Sequence, residues 1–416
     1  MIQASHILRK YQPSDWGGTE TAVLRLIQGL KEHGVESTVH APKHSDIIQS
    51  DPMLEGARSV KRFNAFLPVI GISRANREQL ISWGGNLFSF ELLKSLMKEK
   101  CDVIHAHAVN RLAGIGMMVA RKRKLPFIAT IHGGVLDLSS NTSVQLTSPL
   151  KGGIEWGKAL GWMVQSRRVL EKADAICTCN LREAELIQKK YPQQRVFVQP
   201  HSVPAAHYMK DRRDAALCAF PMIANRDVLL SVARIDPVKN QTWLVRELPQ
   251  MIREHPQLLL VLAGSVTCQK MNASLKRMIV ENDLQNHVLL TGGLNPGSDE
   301  LIGLVQTARA LVLPSTSETF GIVILEAWAA GTPVISSRTS GAASLINHGE
   351  NGMLFDLDQP DGFHQALHTV MNDDAAGNKL VKSGRSLVLS TYDVAAVASS
   401  VKNLYDGLIE EKRRFA

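Results

Sequence analysis

One stretch decides the fold of this chain: PSTSETFGIVILEAWAAGTPVI, from Pro314 to Ile335. The apolar run before it predicts a buried strand that ends at Pro314, and a loop rich in serine and threonine follows. A helix is predicted to begin near Phe320 and to end at Gly331, because glycine is typical of a helix stop. The next strand opens at Pro333. This order of strand, loop, helix and strand is typical of parallel α/β architecture.

The same alternation of short apolar runs and amphipathic stretches extends through most of the chain. Near the start, a strand around His6 precedes the glycine pair Gly17-Gly18, and helical spacing of apolar residues runs from Thr19 to His33. Further strands are predicted at the short apolar runs 39–41, 103–106, 127–131, 175–178, 196–198, 228–232, 258–263, 288–290, 310–313 and 333–336. We therefore predict two successive α/β series.

The length of 416 residues also predicts two domains of about 200 residues each. We assign residues 1–205 to an N-terminal Rossmann-like domain, 206–226 to a linker and 227–390 to a C-terminal Rossmann-like domain. Residues 391–416 are predicted to form a helix that packs back on the N-terminal domain.

Composition narrows the class of protein. Hydrophobic residues make up 44% and charged residues 21% of the chain, which describes a globular protein with two full cores. No apolar stretch approaches the roughly 18–20 residues of a membrane-spanning helix. The first residues lack a charged leader followed by an apolar core, so we expect a cytoplasmic protein. The five cysteines show no metal-ligand spacing, and we expect them to be reduced and buried.

Charge is distributed unevenly along the chain. Residues 1–210 contain 28 lysines and arginines against 17 acids, whereas the remainder contains 19 against 22. The densest basic clusters are Arg121-Lys122-Arg123-Lys124 and Lys61-Arg62. Each cluster alone is consistent with a solvated helix end, but the imbalance of the whole half favours a membrane surface or an anionic acceptor as its partner. We expect no nucleic-acid partner.

Two glutamates, Glu318 in the loop and Glu326 in the helix, stand out in the deciding stretch. Amides at a helix start suit oxygen-rich, partly negative ligands, and carboxylates suit sugar and ribose hydroxyls. Acids are also favoured at helix starts for structural reasons alone. The spacing by itself leaves both interpretations open.

The sequence around this glutamate pair resembles the signature of the family-four retaining glycosyltransferases of the Glu-x7-Glu type. That family has the GT-B fold, in which two Rossmann-like domains face each other across a cleft, with the acceptor on the N-terminal side and the nucleotide sugar on the C-terminal side. The similarity extends to Gly17-Gly18-Thr19-Glu20, to 102–107, to Thr130-Ile131-His132-Gly133-Gly134, to 231–240 and to Ala263-Gly264-Ser265.

The resemblance implies a role for each matching residue. Arg234 and Lys239 would meet the charge of the departing nucleoside diphosphate, Arg by bridging two oxygens and Lys as a point charge. Glu318 would hold the donor sugar near its reacting carbon, and Glu326 would take the ribose hydroxyls. His132 would contact the sugar and stabilise developing positive charge through its ring or its carbonyl group.

The remaining matches imply donor contacts through the backbone. Gly17 and Gly18 would let the chain approach the diphosphate closely, since they carry no Cβ atom. Phe320 and Gly321 would offer backbone amides, and Gly264 lies at a matching strand end. The departing phosphate is thought to accept the acceptor's proton in this family. No metal and no other cofactor is expected, because the basic residues and helix starts can neutralise the diphosphate.

The sequence departs from the family's pattern at two positions. His201 and Ser202 stand where the family often has Asn and Gly, and Ser344 stands where it commonly has glutamate. Neither departure touches the paired glutamates or the phosphate residues. Two other motifs are weak: Asp356-Leu357-Asp358 is interpreted as a loop, and Gly114-Ile115-Gly116 lies inside a predicted helix.

The sequence thus predicts a retaining hexosyltransferase that uses a UDP- or GDP-sugar. Its acceptor is expected to be a saccharide or a lipid-linked saccharide in surface-glycan biosynthesis, such as lipopolysaccharide or exopolysaccharide. Peripheral contact with the inner face of an anionic membrane would suit the basic first half. The alternatives are a soluble synthase that joins two small sugars and a catalytically silent protein that binds nucleotide sugars.

Overall fold

The architecture is taken from a computed structural model, which describes residues 1–13, 17–43, 51–133, 135–136 and 148–414. The chain divides into two compact units. The first comprises Met1–Ser202 with Val394–Ala416, and the second comprises Val203–Asp393. Among the described residues, no helix has the length and apolar character needed to cross a membrane.

The first unit is built on a parallel sheet of seven strands within the described residues. Its strands occur in the order β3-β2-β1-β5-β6-β8-β9, and β4 and β7 form a separate antiparallel pair. The strands are β1 (Ile2–Ile7), β2 (Val35–Pro42), β3 (Ser59–Phe63), β4 (Val69–Ile70), β5 (Val103–Ala106), β6 (Phe127–Ile131), β7 (Ile154–Glu155), β8 (Ala175–Thr178) and β9 (Val196–Val198). The central strands β5, β6 and β8 are buried along their whole length, as in sheets covered on both faces.

Helices connect these parallel strands. They are α1 (Gly18–Glu32), α2 (Arg74–Ser82), α3 (Phe90–Lys98), α4 (Arg111–Lys122), α5 (Lys158–Met163), α6 (Val169–Lys172) and α7 (Leu181–Lys190). Side-chain caps explain several of their starts: Asn110 begins α4 and Asn180 begins α7, each by accepting a hydrogen bond from a backbone amide of the first turn. Short 3-10 turns lie at Pro52–Glu55, Ser148–Leu150 and Ser166–Arg168.

The second unit has a parallel sheet of six strands in its described residues, in the order β12-β11-β10-β13-β14-β15. The strands are β10 (Asp227–Val232), β11 (Leu258–Ala263), β12 (Val288–Gly292), β13 (Ala310–Leu313), β14 (Val334–Ser337) and β15 (Met353–Phe355). Its helices are α8 (Ala205–Tyr208), α9 (Arg213–Ala219), α10 (Gln241–Glu254), α11 (Gln269–Glu281), α12 (Asp299–Thr307), α13 (Ile322–Ala330), α14 (Ser340–Leu345), α15 (Pro360–Asn372) and α16 (Asp374–Leu387). A 3-10 turn at Pro221–Ile223 and a π-helical turn at Val388–Tyr392 complete the unit.

Residues 206–226 are not a linker, contrary to the prediction. They form most of α8, all of α9 and the 3-10 turn, and they pack within the second unit. The backbone of Arg212 passes so close to α12 that a Cβ atom on Gly303 would lie 2.1 Å from its carbonyl oxygen. Sequence periodicity missed these helices because each spans only one or two turns.

The last helix, α17 (Val394–Arg414), belongs to the first unit although it follows the second in sequence. Tyr405 is fully buried there, and its hydroxyl group lies 2.7 Å from Nδ1 of His105 on β5. A Cβ atom on Gly29 of α1 would lie 2.7 Å from the Cβ atom of Ala398. Glycine at position 29 therefore allows α1 and α17 to approach closely.

Both sheets reverse their strand order at a defined point, between β1 and β5 in the first unit and between β10 and β13 in the second. In open α/β sheets, ligands bind outside the carboxyl ends of the strands at such points. The loops after β1, β10 and β13 carry most of the predicted site residues, while His132 follows β6 and Gly264 follows β11.

Candidate active site

In the second unit, two loops meet beyond the switch point. The loop after β10 carries Lys239, and the loop after β13 carries Glu318. The Thr316 amide donates to the carbonyl oxygen of Val238 at 2.8 Å, and the Asn240 side chain donates to the carbonyl oxygen of Pro314 at 3.2 Å. These bonds hold the two loops side by side.

Lys239 and Glu318 contact each other directly. Nζ of Lys239 donates a hydrogen bond to Oε2 of Glu318, and the two side chains retain only 19% and 20% of their exposure. The sequence assigned the lysine to phosphate and the glutamate to sugar. The structure brings both together as a partly buried ion pair at the carboxyl end of the sheet.

Arg234 lies in the same loop but is more open. Its side chain is 60% exposed, and Nη2 lies 3.4 Å from Oδ2 of Asp236. The other oxygen of Asp236 accepts from the amides of Val238 at 2.9 Å and Lys239 at 3.2 Å. Asp236 therefore shapes the turn that presents both basic residues, a role that sequence analysis did not assign.

Positions 264 and 341 require glycine because another stretch of backbone passes close to each of them. A Cβ atom on Gly264 would lie 1.9 Å from the carbonyl oxygen of Ala233, next to Arg234. A Cβ atom on Gly341 would lie 2.5 Å from the amide nitrogen of Phe320. The Gly264 amide already donates to the carbonyl oxygen of Gly292 at 2.8 Å, so the geometry explains this glycine by packing. Its predicted contact with the donor stays a prediction.

Helix α13 begins at the second loop. Gly321 precedes it in the left-handed region, with φ at +93°, which favours glycine. Glu326 is buried in its second turn, and the ring of Phe320 is buried 6.3 Å from that of Tyr392. The Phe320 side chain thus belongs to the core, which leaves only its backbone for the predicted donor contact. Gly331 ends the helix with a positive φ, as predicted.

In the first unit, the glycine pair Gly17-Gly18 begins α1. The Gly17 amide donates at 3.1 Å to the carboxylate of Glu20, and a Cβ atom on Gly17 would lie equally close to that oxygen. Glu20 is buried, and burial raises the pKa of its carboxyl group. Glu20, to which sequence analysis gave no role, therefore accepts a hydrogen bond from the Gly17 amide, in the backbone that was predicted to approach the diphosphate.

His132 follows β6 and is linked to other histidines. Its Nε2 lies 2.8 Å from Nδ1 of His107, and Nε2 of His107 lies 3.0 Å from Nδ1 of His6. The ring of His201 stacks on that of His132, with centroids 5.3 Å apart and 4° between the planes. The departure at position 201 therefore contacts a predicted catalytic residue. Gly134 of the same motif lies outside the described residues.

These histidines are neutral near pH 7. Burial, reinforced by His40, lowers the pKa of His6 to about 3. Burial and the nearby Arg25 lower the pKa of His201 to about 4. Burial is also the largest cause that holds the pKa of His107 and of His132 well below the usual range.

The basic clusters are partly used inside the first unit. Arg121 donates to the carbonyl oxygen of Lys172 at 3.1 Å, and Arg123 donates to that of Leu96 at 2.7 Å. Arg62 lies on β3, where it pairs with Asp51 at 2.9 Å and covers the Tyr11 ring at 4.3 Å. Arg62, Arg121 and Arg123 therefore make contacts that stabilise the first unit itself.

Two family models match the chain in succession. One, described as Glycosyltransferase Family 4, matches residues 16–207, and the other, described as Glycosyl transferases group 1, matches residues 221–387. Between them they span most of both units. The chain belongs to the family-four glycosyltransferases. Its two parallel α/β sheets are those of the predicted GT-B fold.

Individual relatives support the same assignment. The glycosyltransferase is 23% identical over 415 residues to a D-inositol 3-phosphate glycosyltransferase of Corynebacterium glutamicum, covering 95% of this chain and 93% of the relative. It is 24% identical over 327 residues to the UDP-Gal:alpha-D-GlcNAc-diphosphoundecaprenol alpha-1,3-galactosyltransferase of Escherichia coli, covering 77% and 79%. The fold is similar to that of Anabaena HepE in complex with UDP and glucose, with a TM-score of 0.72 at 16% identity over 98% of this chain and all of the other.

Proposed function

We propose that this glycosyltransferase is a retaining hexosyltransferase that transfers a sugar from a UDP- or GDP-sugar to a saccharide or lipid-linked saccharide. The observation that carries the proposal is the Lys239–Glu318 pair beside Arg234, at the carboxyl end of the second sheet and next to the start of α13. Cation, carboxylate and helix amides together match the parts of a nucleotide sugar.

The division of roles follows from charge. When the bond to the sugar breaks, negative charge grows on the diphosphate, and Arg234 and Lys239 supply positive charge there. Glu318, next to Lys239, then serves the sugar hydroxyls, while Glu326 binds the ribose from inside α13. We propose that no metal ion takes part, since these cations and the helix start can balance the diphosphate.

An anionic acceptor would suit the basic first half of the chain. The two curated relatives described above are named for acceptors that carry phosphate, one as inositol 3-phosphate and the other as a diphosphoundecaprenol-linked sugar. We therefore propose a phosphate-bearing acceptor, with a lipid-linked saccharide of a surface glycan ahead of a small soluble sugar. Peripheral contact with the inner face of an anionic membrane is part of this proposal.

A catalytically silent nucleotide-sugar binder is the competing function. The retention of Arg234, Lys239, Glu318 and Glu326 together favours an enzyme, because loss of turnover removes the need for a complete set. Slow hydrolysis of the donor in the absence of acceptor separates the two functions.

The test is a thermal-shift screen against UDP-, GDP- and ADP-sugars, followed by donor hydrolysis with the sugar that stabilises most. A ligand present at 100 times its Kd adds about 2.7 kcal/mol of stability. We expect this stabilisation in wild type and in the control variant Arg277→Ala, which removes an exposed arginine of α11, and a weaker one in Arg234→Ala. Stabilisation without any hydrolysis would point to the silent binder, and no stabilisation by any of the three classes would refute the proposal.

A further inference from the structure

A connected group of apolar side chains lies on the surface of the first unit, and none of them takes part in the proposed chemistry. We call this group the apolar band; its members are Phe66, Ile70, Phe90, Ile154 and Trp156. The ring of Phe66 is nearly parallel to that of Trp156, with centroids 5.9 Å apart, and its centroid lies 6.3 Å from that of Phe90. Ile154 of β7 is the cross-strand partner of Ile70 on β4, so both side chains emerge on the same face of the pair.

The band is continuous because Trp156 extends the pairing of β4 with β7. Its amide donates a hydrogen bond to the carbonyl oxygen of Pro68 at 3.2 Å. Side chains two positions apart in a strand point to the same face, which places Trp156 beside Ile154. Glu155, between these two residues, forms an ion pair with the buried guanidinium group of Arg111. The band is therefore held in place by contacts with the interior of the unit.

Most of the band is exposed in the folded chain. The exposed fractions are 50% for Trp156, 53% for Ile70, 59% for Phe90 and 67% for Ile154. Single exposed apolar residues are common, but a connected group of them marks a surface that contacts a partner or a membrane. The exposure of the whole group therefore indicates a contact surface.

Three exposed lysines lie next to the band. Lys94 follows Phe90 by one helical turn on α3, and Lys151 and Lys158 lie on either side of β7. Residues one turn apart share a face of a helix, so Lys94 and Phe90 are neighbours on the surface of α3. Within the described ranges of the chain, none of the three lysines forms an ion pair.

The acids beside the band do not offset these lysines. Glu155 pairs with Arg111, and Glu91 lies 4.0 Å from Nζ of Lys43. Each of these acids is therefore balanced by another basic side chain of the first unit. The surface is apolar along the band and carries net positive charge beside it.

We propose that the apolar band inserts into the interfacial region of an anionic bilayer, while Lys94, Lys151 and Lys158 meet the lipid phosphates. The inference rests on the membrane contact in the proposed function, and it names the surface that makes this contact. Tryptophan is enriched at membrane interfaces. Surfaces that bind there combine large apolar side chains with lysine or arginine.

Other occupants fit these residues less well. In a symmetric dimer the same patch meets itself, which would bring the three lysines of one copy towards those of the other. A saccharide needs polar groups that bind its hydroxyls, whereas all five members of the band are apolar. An anionic lipid surface matches both the apolar side chains and the charge.

Insertion and charge are both needed for attachment. A few inserted side chains bind a membrane weakly, and so do a few lysines, whereas the two contributions together give reversible attachment. Loss of either contribution should therefore release the protein. High salt removes the first attraction between charges, and substitutions in the band remove the insertion.

The first test is sedimentation of the full-length protein with liposomes that contain an anionic phospholipid, at low salt. We expect the double variant Phe90→Ser with Trp156→Ser to bind about tenfold more weakly than wild type, or weaker still, because binding scales with the apolar area that is buried. The matched control is Val280→Ser, which changes a 58% exposed side chain on α11 of the second unit and should bind like wild type. If the double variant does not fold, Ile154→Ser serves instead, since Ile154 is the most exposed member of the band.

The second test locates Trp156 relative to the bilayer. Bromine atoms on lipid chains quench the fluorescence of tryptophans that lie close to them. We expect brominated anionic liposomes to quench the wild-type protein. Trp156→Phe should lose part of this quenching and still bind, because phenylalanine keeps an aromatic, apolar side chain at this position.

Unchanged binding of the band variants, or the same quenching in wild type and Trp156→Phe, would overturn the inference. A wild-type dimer that the band variants dissociate would overturn it as well. Donor hydrolysis without liposomes is measured on the same samples. A wild type that hydrolyses the donor but binds no anionic liposome would overturn the inference and the membrane contact on which it rests, and would leave the proposed transfer reaction standing. Binding without hydrolysis would refute the proposed reaction alone.

Discussion

At the scale of single residues, we predict that the basic side chains Arg234 and Lys239 and the carboxylate of Glu326 affect different kinetic constants. Arg234→Ala and Lys239→Ala should each reduce kcat/KM by the equivalent of about 2–4 kcal/mol, mainly through kcat, because they remove charge that matters most in the transition state. Glu326→Ala should instead raise the donor KM more than it lowers kcat, since ribose binding is the same in both states. Steady-state kinetics with varied donor measure both.

The same three variants can contradict the division of roles. Identical changes in kcat and KM for Glu326→Ala and Lys239→Ala would mean that the two residues act on the same step. Arg277→Ala, in an exposed pair on α11, is the control and should match wild type.

A second prediction concerns Gly264, where the backbones of two loops almost touch. Gly264→Ala places a Cβ atom 1.9 Å from the Ala233 carbonyl oxygen, so the chain beside Arg234 must move. We expect a loss of about 1–3 kcal/mol in the free energy of unfolding, typical of overpacking, and a lower kcat. Gly377→Ala is the matched control, because that helical glycine has room for a Cβ atom, and it should be neutral or stabilising by up to about 1 kcal/mol. Equal stability of both variants in urea unfolding would contradict this account.

At the scale of elements, the buried histidines on β1 and after β5 and β9 make stability depend on pH. In the unfolded chain, histidines bind protons below about pH 6.5. In the folded protein, burial lowers the pKa of His6 to about 3 and that of His201 to about 4, so both stay neutral at higher pH. Stability is therefore complete above pH 6.5 and falls as the pH is lowered, by about 1.4 kcal/mol per pH unit for each such histidine. Urea unfolding at pH 7.5, 6.0 and 5.0 measures the slope.

His201→Asn tests whether that slope comes from these residues. The variant introduces the residue that the family often has at this position, and it should reduce the slope by about one proton's worth between pH 6 and 5. A slope identical to that of wild type would show that His201 does not titrate as its burial requires.

The basic elements of the first unit lead to a prediction about membranes. Each exposed lysine near an anionic surface contributes about 1 kcal/mol, and salt should release the protein because the Debye length shrinks from about 10 Å at 0.1 M to about 3 Å at 1 M. We expect sedimentation with anionic but not neutral liposomes at low salt. The double variant Lys122→Gln with Lys124→Gln should bind less, whereas Lys270→Gln with Lys276→Gln on α11 should bind like wild type. Recovery in the supernatant under all conditions would contradict peripheral attachment.

Sequence periodicity predicted the elements whose signal is local. The strands β10, β11 and β13 and the helix α13 occur where short apolar runs and glycine stops placed them. Strand β3 was missed because its charged residues, Lys61 and Arg62, conceal a parallel edge pairing with β2. The prediction of a linker at residues 206–226 was wrong because α8 and α9 are short and depend on packing within the second unit.

The site was predictable where the family motif carries it and hidden where tertiary contacts create it. Glu318 and Lys239 are 79 positions apart, and their contact depends on β10 and β13 being neighbours in the sheet. The hydrogen-bonded histidines His6, His107 and His132 lie on or after three different strands of the first sheet, so no single motif contains them. The burial of the cysteines was also predicted only in part. Cys101, Cys177 and Cys179 are buried as expected, but Cys218 is exposed.

At the scale of the whole molecule, the proposed chemistry needs no divalent cation. Donor hydrolysis and transfer should continue in excess EDTA, because Arg234, Lys239 and the start of α13 neutralise the diphosphate. Complete loss of activity in EDTA that magnesium or manganese restores would contradict this.

The central claim is retaining transfer from a nucleotide sugar, and the most direct measurement is time-resolved proton nuclear magnetic resonance of donor hydrolysis by the full-length protein. With the α-linked UDP- or GDP-hexose that gives the largest thermal shift, the account predicts that the α anomer of the free sugar appears first and that the β anomer follows only by mutarotation. Lys239→Ala should release sugar at a much lower rate. First release of the β anomer, or a rate in wild type no higher than in Lys239→Ala, would contradict the account.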